Sequence, residues 1–309
     1  AVGGYGTLDA NTTANNNTAI GAGVMTVNTT GANNTSVGAY SLDANTTGDE
    51  NVAVGYGALS SNTTANYNVA VGKSALAANT TGSENTAMGI SAMAANTTGT
   101  SNVAIGTSVL DANTTGSNNT AVGGSALGLN TTGAGNVAVG ANALDANTTA
   151  DNNTAVGMHS LGKNTTGTSN VGMGYGALSE NTTSSNNTGV GYNALTENTG
   201  TENTGVGSGA LRTNTTGDYN TAVGYEALRL QTTADNNTAM GHYALGAVTT
   251  GGDNTAVGAI AGDAITTGTN NTALGKGAAT AVTTGDDNTA IGQDALFTAT
   301  TASDNTAVG

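Results

Sequence analysis

The chain contains no cysteine, no proline and no tryptophan, and it has a single phenylalanine. Without cysteine, disulfides and thiolate chemistry are excluded. The absence of proline fits a backbone whose N–H groups are needed in hydrogen-bonded ladders. Aromatic residues make up only 3% of the chain and charged residues 8%, so the side chains that usually build a three-dimensional core are missing. Any order must come from another source.

Basic residues are also scarce. Five Lys and Arg stand against 20 Asp and Glu, which gives a formal net charge of -15. Nucleic acids and anionic membrane surfaces would be repelled, so we expect neither as a partner. No apolar run approaches the roughly 20 residues of a membrane span, so we expect no membrane insertion.

What the sequence does contain is a 17-residue repeat, N-T-A-V-G-x-x-A-L-x-x-N-T-T-G-x-x, whose places we number from the opening Asn. It opens at Asn17, Asn34, Asn51, Asn68 and onwards to Asn305, with one Thr missing after Thr199. A fixed short period is typical of solenoids. We therefore predict an all-β parallel β-solenoid (β-roll or β-helix), with one unit per coil. Residues 1–309 would form a single continuous domain of about 18 coils without capping repeats. Because the chain starts and stops in mid-unit, at Ala1–Gly3 and 305–309, we expect a segment of a longer array or ends covered by another subunit.

The fifth place is always Gly, which indicates a positive φ or a backbone approach too close for a Cβ. These turn glycines include Gly38, Gly55, Gly72, Gly89 and Gly106. The preceding T-A-V segment predicts a short strand with the second and fourth places inward, so that Val54 and Val71 join the core. The small third residue would then face outward and allow another surface to pack closely.

The eighth and ninth places are typically Ala-Leu. Adjacent residues cannot both point inward from a regular strand, so we predict a bend or a single helical turn there. Leu is the main apolar residue of the unit, and Leu59 and Leu76 are predicted to lie in the core.

The twelfth place is Asn up to Asn214 and then becomes Gln231, Val248, Ile265, Val282 and Ala299. Replacement by aliphatic residues indicates an interior position. Asn repeated at one inward place predicts a ladder of stacked amides, with Asn45, Asn62, Asn79, Asn96 and Asn113 among its members. The first-place Asn is expected to do the same or to cap a turn.

All charges and all Tyr fall at the sixth, seventh, tenth, eleventh, sixteenth and seventeenth places, which we predict to be exposed. Acids favour the last two places, and ladders such as Asp218, Asp235 and Asp253 could recruit Ca²⁺. The acids are irregular from unit to unit, so no cofactor is predicted and Ca²⁺ remains an alternative.

Other motifs favour ordinary roles. Residues 157–164 nearly spell a phosphate-binding loop, but Asn164 stands where a hydroxyl is required. His159 and His242, the only histidines, lie in different coils, so neither a metal site nor a catalytic pair is expected. We predict no catalytic residues and no enzymatic activity.

The Asn-Thr-Thr segments are formal glycosylation sequons, but an inward Asn could not carry a sugar; Asn16 and Asn33 would be more accessible. The Thr pairs, such as Thr46-Thr47 and Thr63-Thr64, form ladders that could bind ice or a crystal surface through the one row that can be exposed. The alternative is a turn whose hydroxyls satisfy backbone groups.

The segment N-V-A-V-G-Y-G-A at Asn51–Ala58, with related runs at 102–106 and 136–140, resembles the repeat of trimeric autotransporter adhesin heads. The full unit is similar to the repetitive shafts of bacterial and phage tail-fibre-like surface proteins. This resemblance implies a parallel β-roll or β-helix, often trimeric and displayed outside the cell.

We therefore expect the structural shaft of an extracellular fibre or filament. Its copies would associate with one another through the small Ala/Gly face or end to end. The alternative is a ligand-binding solenoid that recognises glycan or ice through the Thr ladder or a Tyr-bearing face, where Tyr56, Tyr175, Tyr192 and Tyr225 occur. Tyr in only some coils argues against a dedicated sugar platform.

Overall fold

The computed structural model describes residues 4–309, and Ala1–Gly3 of the first partial unit lie outside that range. The structure is all-β, with parallel strands stacked as a β-solenoid of about 17 residues per turn, which confirms the predicted fold class. Two compact units, residues 1–153 and 154–309, divide the chain. The single continuous domain predicted for 1–309 stays a prediction.

Each coil contributes one three-residue strand. The first unit contains β1 (Thr18–Ile20), β2 (Thr35–Val37), β3 (Val52–Val54), β4 (Val69–Val71), β5 (Thr86–Met88), β6 (Val103–Ile105), β7 (Thr120–Val122) and β8 (Val137–Val139). The second contains β9 (Thr154–Val156), β10 (Val171–Met173), β11 (Thr188–Val190), β12 (Thr204–Val206), β13 (Thr221–Val223), β14 (Thr238–Met240), β15 (Thr255–Val257), β16 (Thr272–Leu274), β17 (Thr289–Ile291) and β18 (Thr306–Val308). Within each unit, successive strands pair in parallel with equal places opposite each other, as in Ala53↔Ala70.

The fifth-place glycines meet both conditions that the sequence suggested. Gly55 has φ +139, and a Cβ built on it would lie 2.5 Å from the carbonyl oxygen of Gly72 in the next coil. Positive φ recurs at the other predicted turn glycines, with 129° at Gly38, 135° at Gly72, 142° at Gly89 and 134° at Gly106. The predicted turn role is confirmed, because each of these glycines directly follows a strand and has a positive φ.

The predicted orientation of the strands is wrong. The third-place Ala53 and Ala70 are fully buried, whereas Val54 is 36% exposed and Val71 is half-buried on the outer side. The reason is the narrow interior: a Cβ on the third-place Gly189 would lie only 3.2 Å from the Leu178 Cγ of the preceding coil. A single methyl group fits that space and a Val side chain does not. The expected packing of copies through an outward Ala/Gly face is therefore also wrong.

The Ala-Leu segment is a turn, as predicted. Ala58 and Leu59 are both fully buried. Leu59 has φ +51, and Leu76 has the same value. A left-handed L-residue costs about 1–2 kcal/mol, while burying a Leu side chain contributes roughly 1.5–3 kcal/mol. Leu59 also donates its N–H to the Ala75 carbonyl at 3.0 Å. The core positions predicted for Leu59 and Leu76 are confirmed.

The twelfth-place amides form the predicted ladder. The Asn62 Nδ2 donates to the Asn45 Oδ1 at 2.9 Å and to the Ala65 carbonyl at 3.1 Å. The same inter-coil bond links Asn79 to Asn62, Asn96 to Asn79 and Asn113 to Asn96, at 2.8–3.0 Å. All these side chains are fully buried. Each amide bonds to both a neighbouring amide and a backbone carbonyl, and these hydrogen bonds offset the free-energy cost of burying polar side chains.

A second ladder runs through the first-place Asn. The backbone N–H of Asn51 and its Nδ2 both donate to the Asn34 Oδ1, at 2.9 and 3.2 Å, and the Nδ2 also donates to the Ala65 carbonyl at 2.9 Å. The first-place Asn thus combines the two expected roles, stacking and satisfying a turn.

Gln231 ends the twelfth-place ladder where the aliphatic residues begin. Its Nε2 donates to the Asn214 Oδ1 at 3.2 Å, and its Oε1 accepts from the Asn237 Nδ2 at 3.0 Å. The longer side chain therefore closes the amide row on a first-place Asn. Val248, Ile265 and Val282 follow, all fully buried.

Candidate functional site

The outer side of the strands in each unit, formed by the second- and fourth-place side chains, is called here the strand face. It carries only Thr, Val, Ile, Leu and Met, without one ionisable residue in β1–β18, although the chain has a net charge of -15. The fourth place is the more exposed, with Ile105 at 40% and Met240 at 44%. An uncharged, partly apolar face repeated from strand to strand is the most regular surface of each unit.

The strand face of the second unit also carries an unbroken hydroxyl row. From β11 to β18 the second place is Thr in eight consecutive coils: Thr188, Thr204, Thr221, Thr238, Thr255, Thr272, Thr289 and Thr306. The strands pair in register, so the hydroxyls recur at the strand spacing of about 4.8 Å. Beside them runs the fourth-place aliphatic row.

The Thr pairs at the thirteenth and fourteenth places have different environments. The Thr46 hydroxyl donates to the Thr63 carbonyl at 3.0 Å, and the Thr63 hydroxyl donates to the Thr80 carbonyl at 3.1 Å. Thr47 and Thr64, the second members, are exposed. One exposed row is thus confirmed, and the other row satisfies the backbone.

In the second unit, aromatic side chains 17 residues apart in sequence stack on each other in two pairs. Tyr175 and Tyr192 stack with ring centroids 5.6 Å apart and an interplanar angle of 13°. Tyr225 and His242 stack at 5.5 Å and 16°. All four occupy the sixth place. Tyr56, in the first unit, has only an edge-to-face neighbour at 5.7 Å.

Charged groups surround one of these stacks. The Glu226 carboxylate pairs with Arg229 at 3.2 Å, and the Arg229 guanidinium lies 4.9 Å from the centroid of the Tyr243 ring. Burial raises the pKa of Glu226, but hydrogen bonds from Arg229, Tyr243 and Tyr225 outweigh it and hold that pKa below its ordinary value. Burial and the Glu226 carboxylate raise the pKa of Tyr243. Glu226 is therefore a carboxylate at neutral pH.

The two histidines occupy separate coils, as expected. His159 makes an edge-to-face contact with Tyr175 at 6.3 Å, and His242 stacks on Tyr225. Across residues 4–309 no group of three or more His, Asp or Glu side chains is arranged to hold a metal ion.

The segment that resembles a phosphate-binding loop lacks the required context. Gly157 follows β9 and enters a turn, with no helix after it within residues 157–164. Lys163 pairs with Glu180, and Asn164 is buried. A phosphate loop needs a helix N-terminus to receive the anion, so this segment is part of an ordinary coil.

The acid ladder suggested by the sequence is present for Asp218 and Asp235 at the sixteenth place, where the carboxylates bond to backbone N–H groups, a role that the sequence did not predict. The Asp218 Oδ1 accepts from the Thr201 N–H at 2.6 Å, and the Asp235 Oδ1 accepts from the Asp218 N–H at 2.8 Å. Asp253 stands at the seventeenth place with φ +58, outside this row. The carboxylates complete the backbone ladder, as Asn66 and Ser83 do in other coils. The recurrence of Asp, Asn and Ser at the sixteenth place, all with an oxygen that can accept a backbone hydrogen bond, was the sequence signal for this ladder.

A depression of about 330 Å³ lies in the first unit, where Gly128 leaves space between Asp111 and Asp145. Burial raises the pKa of Asp111, although hydrogen bonds from its own amide and that of Ala112 act in the opposite direction. The lining is mostly Ser, Asp and Asn, whereas small-molecule pockets are mainly apolar. The depression exists because Gly128 has no side chain at the tenth place, between Asp111 and Asp145 of the neighbouring coils.

The twelfth-place sequons from Asn28 to Asn214 are closed to modification, because each of these Asn side chains is fully buried, whereas Asn11 in the first partial coil is exposed. Asn33 is exposed, as is Asn16, which matches the expected accessibility.

Comparison of the chain with protein-family models, curated proteins and solved structures returns no match. Within residues 4–309 there is no helix that is long and apolar enough to cross a membrane.

Proposed function

We propose that this protein is a structural repeat of an extracellular fibre or filament, adhesin-like in its repetitive surface, and that its copies associate side by side. The observation that carries this proposal is the strand face, which is uncharged in all 18 strands and presents an exposed or half-buried aliphatic or Met side chain on each. The resemblance of the unit to surface-fibre repeats supports display outside the cell. No catalytic role is proposed.

The energetics favour repetition. A fourth-place side chain such as Val257, 40% exposed, would contribute roughly 0.5–1 kcal/mol if an opposing copy covered it. Association costs about 4–15 kcal/mol in lost freedom of motion. One or two strands cannot offset that cost, whereas a row of strands in register can. Length is then the property on which assembly depends.

The distribution of charge decides which surface of each copy makes the contact. The acids lie at places off the strand face, so two copies meeting through their strand faces bring no carboxylates directly together. Contact through the acidic surfaces would be opposed by like charge. Among the surfaces of a coil, the strand face is thus the favoured contact.

Light scattering on the purified chain tests this proposal. We expect a discrete oligomer or a concentration-dependent polymer, and Val257→Glu should shift it towards monomer, because a buried, unpaired carboxylate opposes contact. Leu129→Glu is the matched control: Leu129 is 57% exposed but lies at the eleventh place, so assembly should persist. A wild-type monomer at all concentrations, or equal effects of both variants, would refute the proposal.

A second candidate function rests on the eight-Thr row of β11–β18. Hydroxyls repeated every 4.8 Å or so beside methyl groups, on a face without charge, can order a water layer and bind an ice surface. The sequence suggested the paired Thr for this role. We assign it instead to the strand face, where the Thr row lies beside a row of aliphatic side chains. Thermal hysteresis measured on the wild type and on Thr255→Lys tests it. Ice binding requires hysteresis that the Lys variant loses, and wild-type protein without hysteresis excludes it.

A further inference from the structure

In the second unit the sixth place is aromatic in four of the five successive coils from Tyr175 to His242, and Ser208 interrupts this aromatic row. Gly209 donates its N–H to the Tyr192 carbonyl at 3.0 Å, and Glu226 donates its N–H to the Ser208 carbonyl at 3.0 Å. The coils of Tyr192, Ser208 and Tyr225 are therefore direct neighbours in register. Ser208, half-buried, leaves an opening between two aromatic rings. We call this opening, bounded by Tyr192, Ser208, Gly209, Tyr225 and Glu226, the ring slot.

The width of the ring slot follows from the ladder. Tyr192 and Tyr225 are two coils apart, which is about 9.6 Å at the usual strand spacing. A six-membered ring placed midway would lie about 4.8 Å from each, within the range of roughly 4.5–7 Å for stacked rings. The existing stacks, Tyr175 on Tyr192 at 5.6 Å and Tyr225 on His242 at 5.5 Å, have similar separations. A ligand ring would join the two stacks into one.

Polar groups lie around the same opening. A Cβ added at Gly209 would lie 3.2 Å from the Glu226 Cγ and 3.9 Å from its Oε1, so the Glu226 side chain covers Gly209 at one side of the slot. Ser208 adds a hydroxyl at the floor of the slot. Arg212, three residues beyond Gly209 in the same turn, is exposed.

We propose that the ring slot binds one pyranose ring of a glycan. A pyranose has two faces of C–H groups, which pack on aromatic rings, and a rim of hydroxyls that both donate and accept hydrogen bonds. The Glu226 carboxylate accepts, the Arg212 guanidinium donates, and the Ser208 hydroxyl does either. The occupant is a sugar and not a nucleobase, because the net charge of -15 repels phosphates. Two arginines in adjacent coils, Arg212 and Arg229, disfavour an organic cation.

This site is separate from the assembly surface, since the sixth and seventh places lie off the strand face. Sugar binding in the ring slot and side-by-side association can therefore be tested independently of each other. Where copies assemble, each would present a slot, and linked slots would increase the avidity for a surface bearing many glycans.

The test is saturation-transfer NMR with the methyl glycosides of glucose, galactose, mannose and N-acetylglucosamine, one at a time, on the full chain. We expect at least one of them to bind with its ring protons against the protein. Ser208→Tyr should abolish the signal, because it fills the slot with a residue that the sixth place already accepts in Tyr175, Tyr192 and Tyr225. Tyr225→Ala should weaken binding about five- to tenfold through loss of one stacking face.

Ala259→Tyr is the matched control: it adds the same ring at the sixth place outside the slot and should leave binding unchanged. Far-ultraviolet circular dichroism and light scattering on each variant confirm that fold and assembly are intact. The proposal is overturned if none of the four glycosides binds, or if Ser208→Tyr and Ala259→Tyr have the same effect. It is also overturned if phenol, added as a probe, is bound while all four glycosides are not.

Discussion

The Ser160 hydroxyl donates to the carbonyl oxygen of Gly172 at 2.8 Å, from one coil to the next, in the interior of the second unit. The Ser160 Oγ also lies 2.5 Å from the position that a Cβ added to Gly172 would occupy. These are the eighth and third places, which are usually Ala in other units. Two departures from the repeat are therefore matched to each other: the larger side chain at one place occupies the space left by the missing methyl at the other.

This pairing predicts non-additive stabilities. Gly172→Ala alone should cost about 1–3 kcal/mol, because its methyl overlaps the Ser160 hydroxyl in a packed core. In the presence of Ser160→Ala the same change should be tolerated, since Ala at both places is the common combination. Urea unfolding of the two single variants and the double variant measures the coupling. Additive effects within about 0.5 kcal/mol would contradict the matched packing.

Gly55 and Gly57 lie in one coil but should respond differently to Ala. At Gly55 the φ of +139 and the approach of the Gly72 carbonyl, 2.5 Å from an added Cβ, leave no room. Gly55→Ala should therefore cost more than about 2 kcal/mol. Gly57 has φ +62 with nothing within 4 Å, and Gly57→Ala should cost about 1 kcal/mol or less. Equal losses in denaturant unfolding would show that positive φ alone, and not the close backbone contact, sets the cost.

The missing Thr after Thr199 leaves a structural trace. The Asn181 Oδ1 is buried without a hydrogen-bond partner, whereas its counterparts accept from the next twelfth-place amide. In the shortened coil, Asn198 instead donates to the Gly200 carbonyl at 2.8 Å. Inserting one Thr after Thr199 should restore the ladder bond and stabilise the chain by about 1–3 kcal/mol. Thermal unfolding checks this, with a Thr inserted after Thr64, which breaks the register of an intact coil, as the destabilising control. An insertion after Thr199 that destabilises equally would contradict the account.

Three tenth-place aspartates predict a dependence of stability on pH. Burial raises the folded-state pKa of Asp43, Asp111 and Asp263 above the ordinary 3.8. A raised pKa means that their contribution to stability is present below pH 3.8 and is lost as the pH rises through the folded value. Replacing all three with Asn, which keeps the accepting oxygen, should stabilise the chain at pH 7 by less than about 1 kcal/mol in total, because the groups are only partly buried. Urea unfolding at pH 7 and pH 3 measures the difference, which should vanish at pH 3. A difference of equal size at both values would exclude the desolvation of these carboxyls as the cause.

The interior amides were predictable because the repeat supplies its own comparison. Asn at the twelfth place gives way to Val248 and Ile265, and only an inward position accepts both kinds of side chain. The turn role of Gly55 and the burial of Leu59 followed in the same way from residue type and spacing. Backbone restrictions at Gly and the periodic placement of apolar residues act within one coil or between neighbouring coils. These features can therefore be predicted from the sequence alone.

The strand orientation was not predictable from hydropathy. Val54 is more apolar than Ala53, yet Ala53 is inside, because the Leu of the preceding coil leaves room for one methyl group only. The backbone hydrogen bonds of Asp218 and Asp235 and the placement of Tyr192 and Tyr225 on either side of Ser208 likewise depend on distances between coils. Period, fold class and the composition of the interior were thus determined by the sequence itself, through the repeat. Which side of each strand faces the interior was decided by the tertiary structure, because the width of the interior is set by how the coils pack on one another.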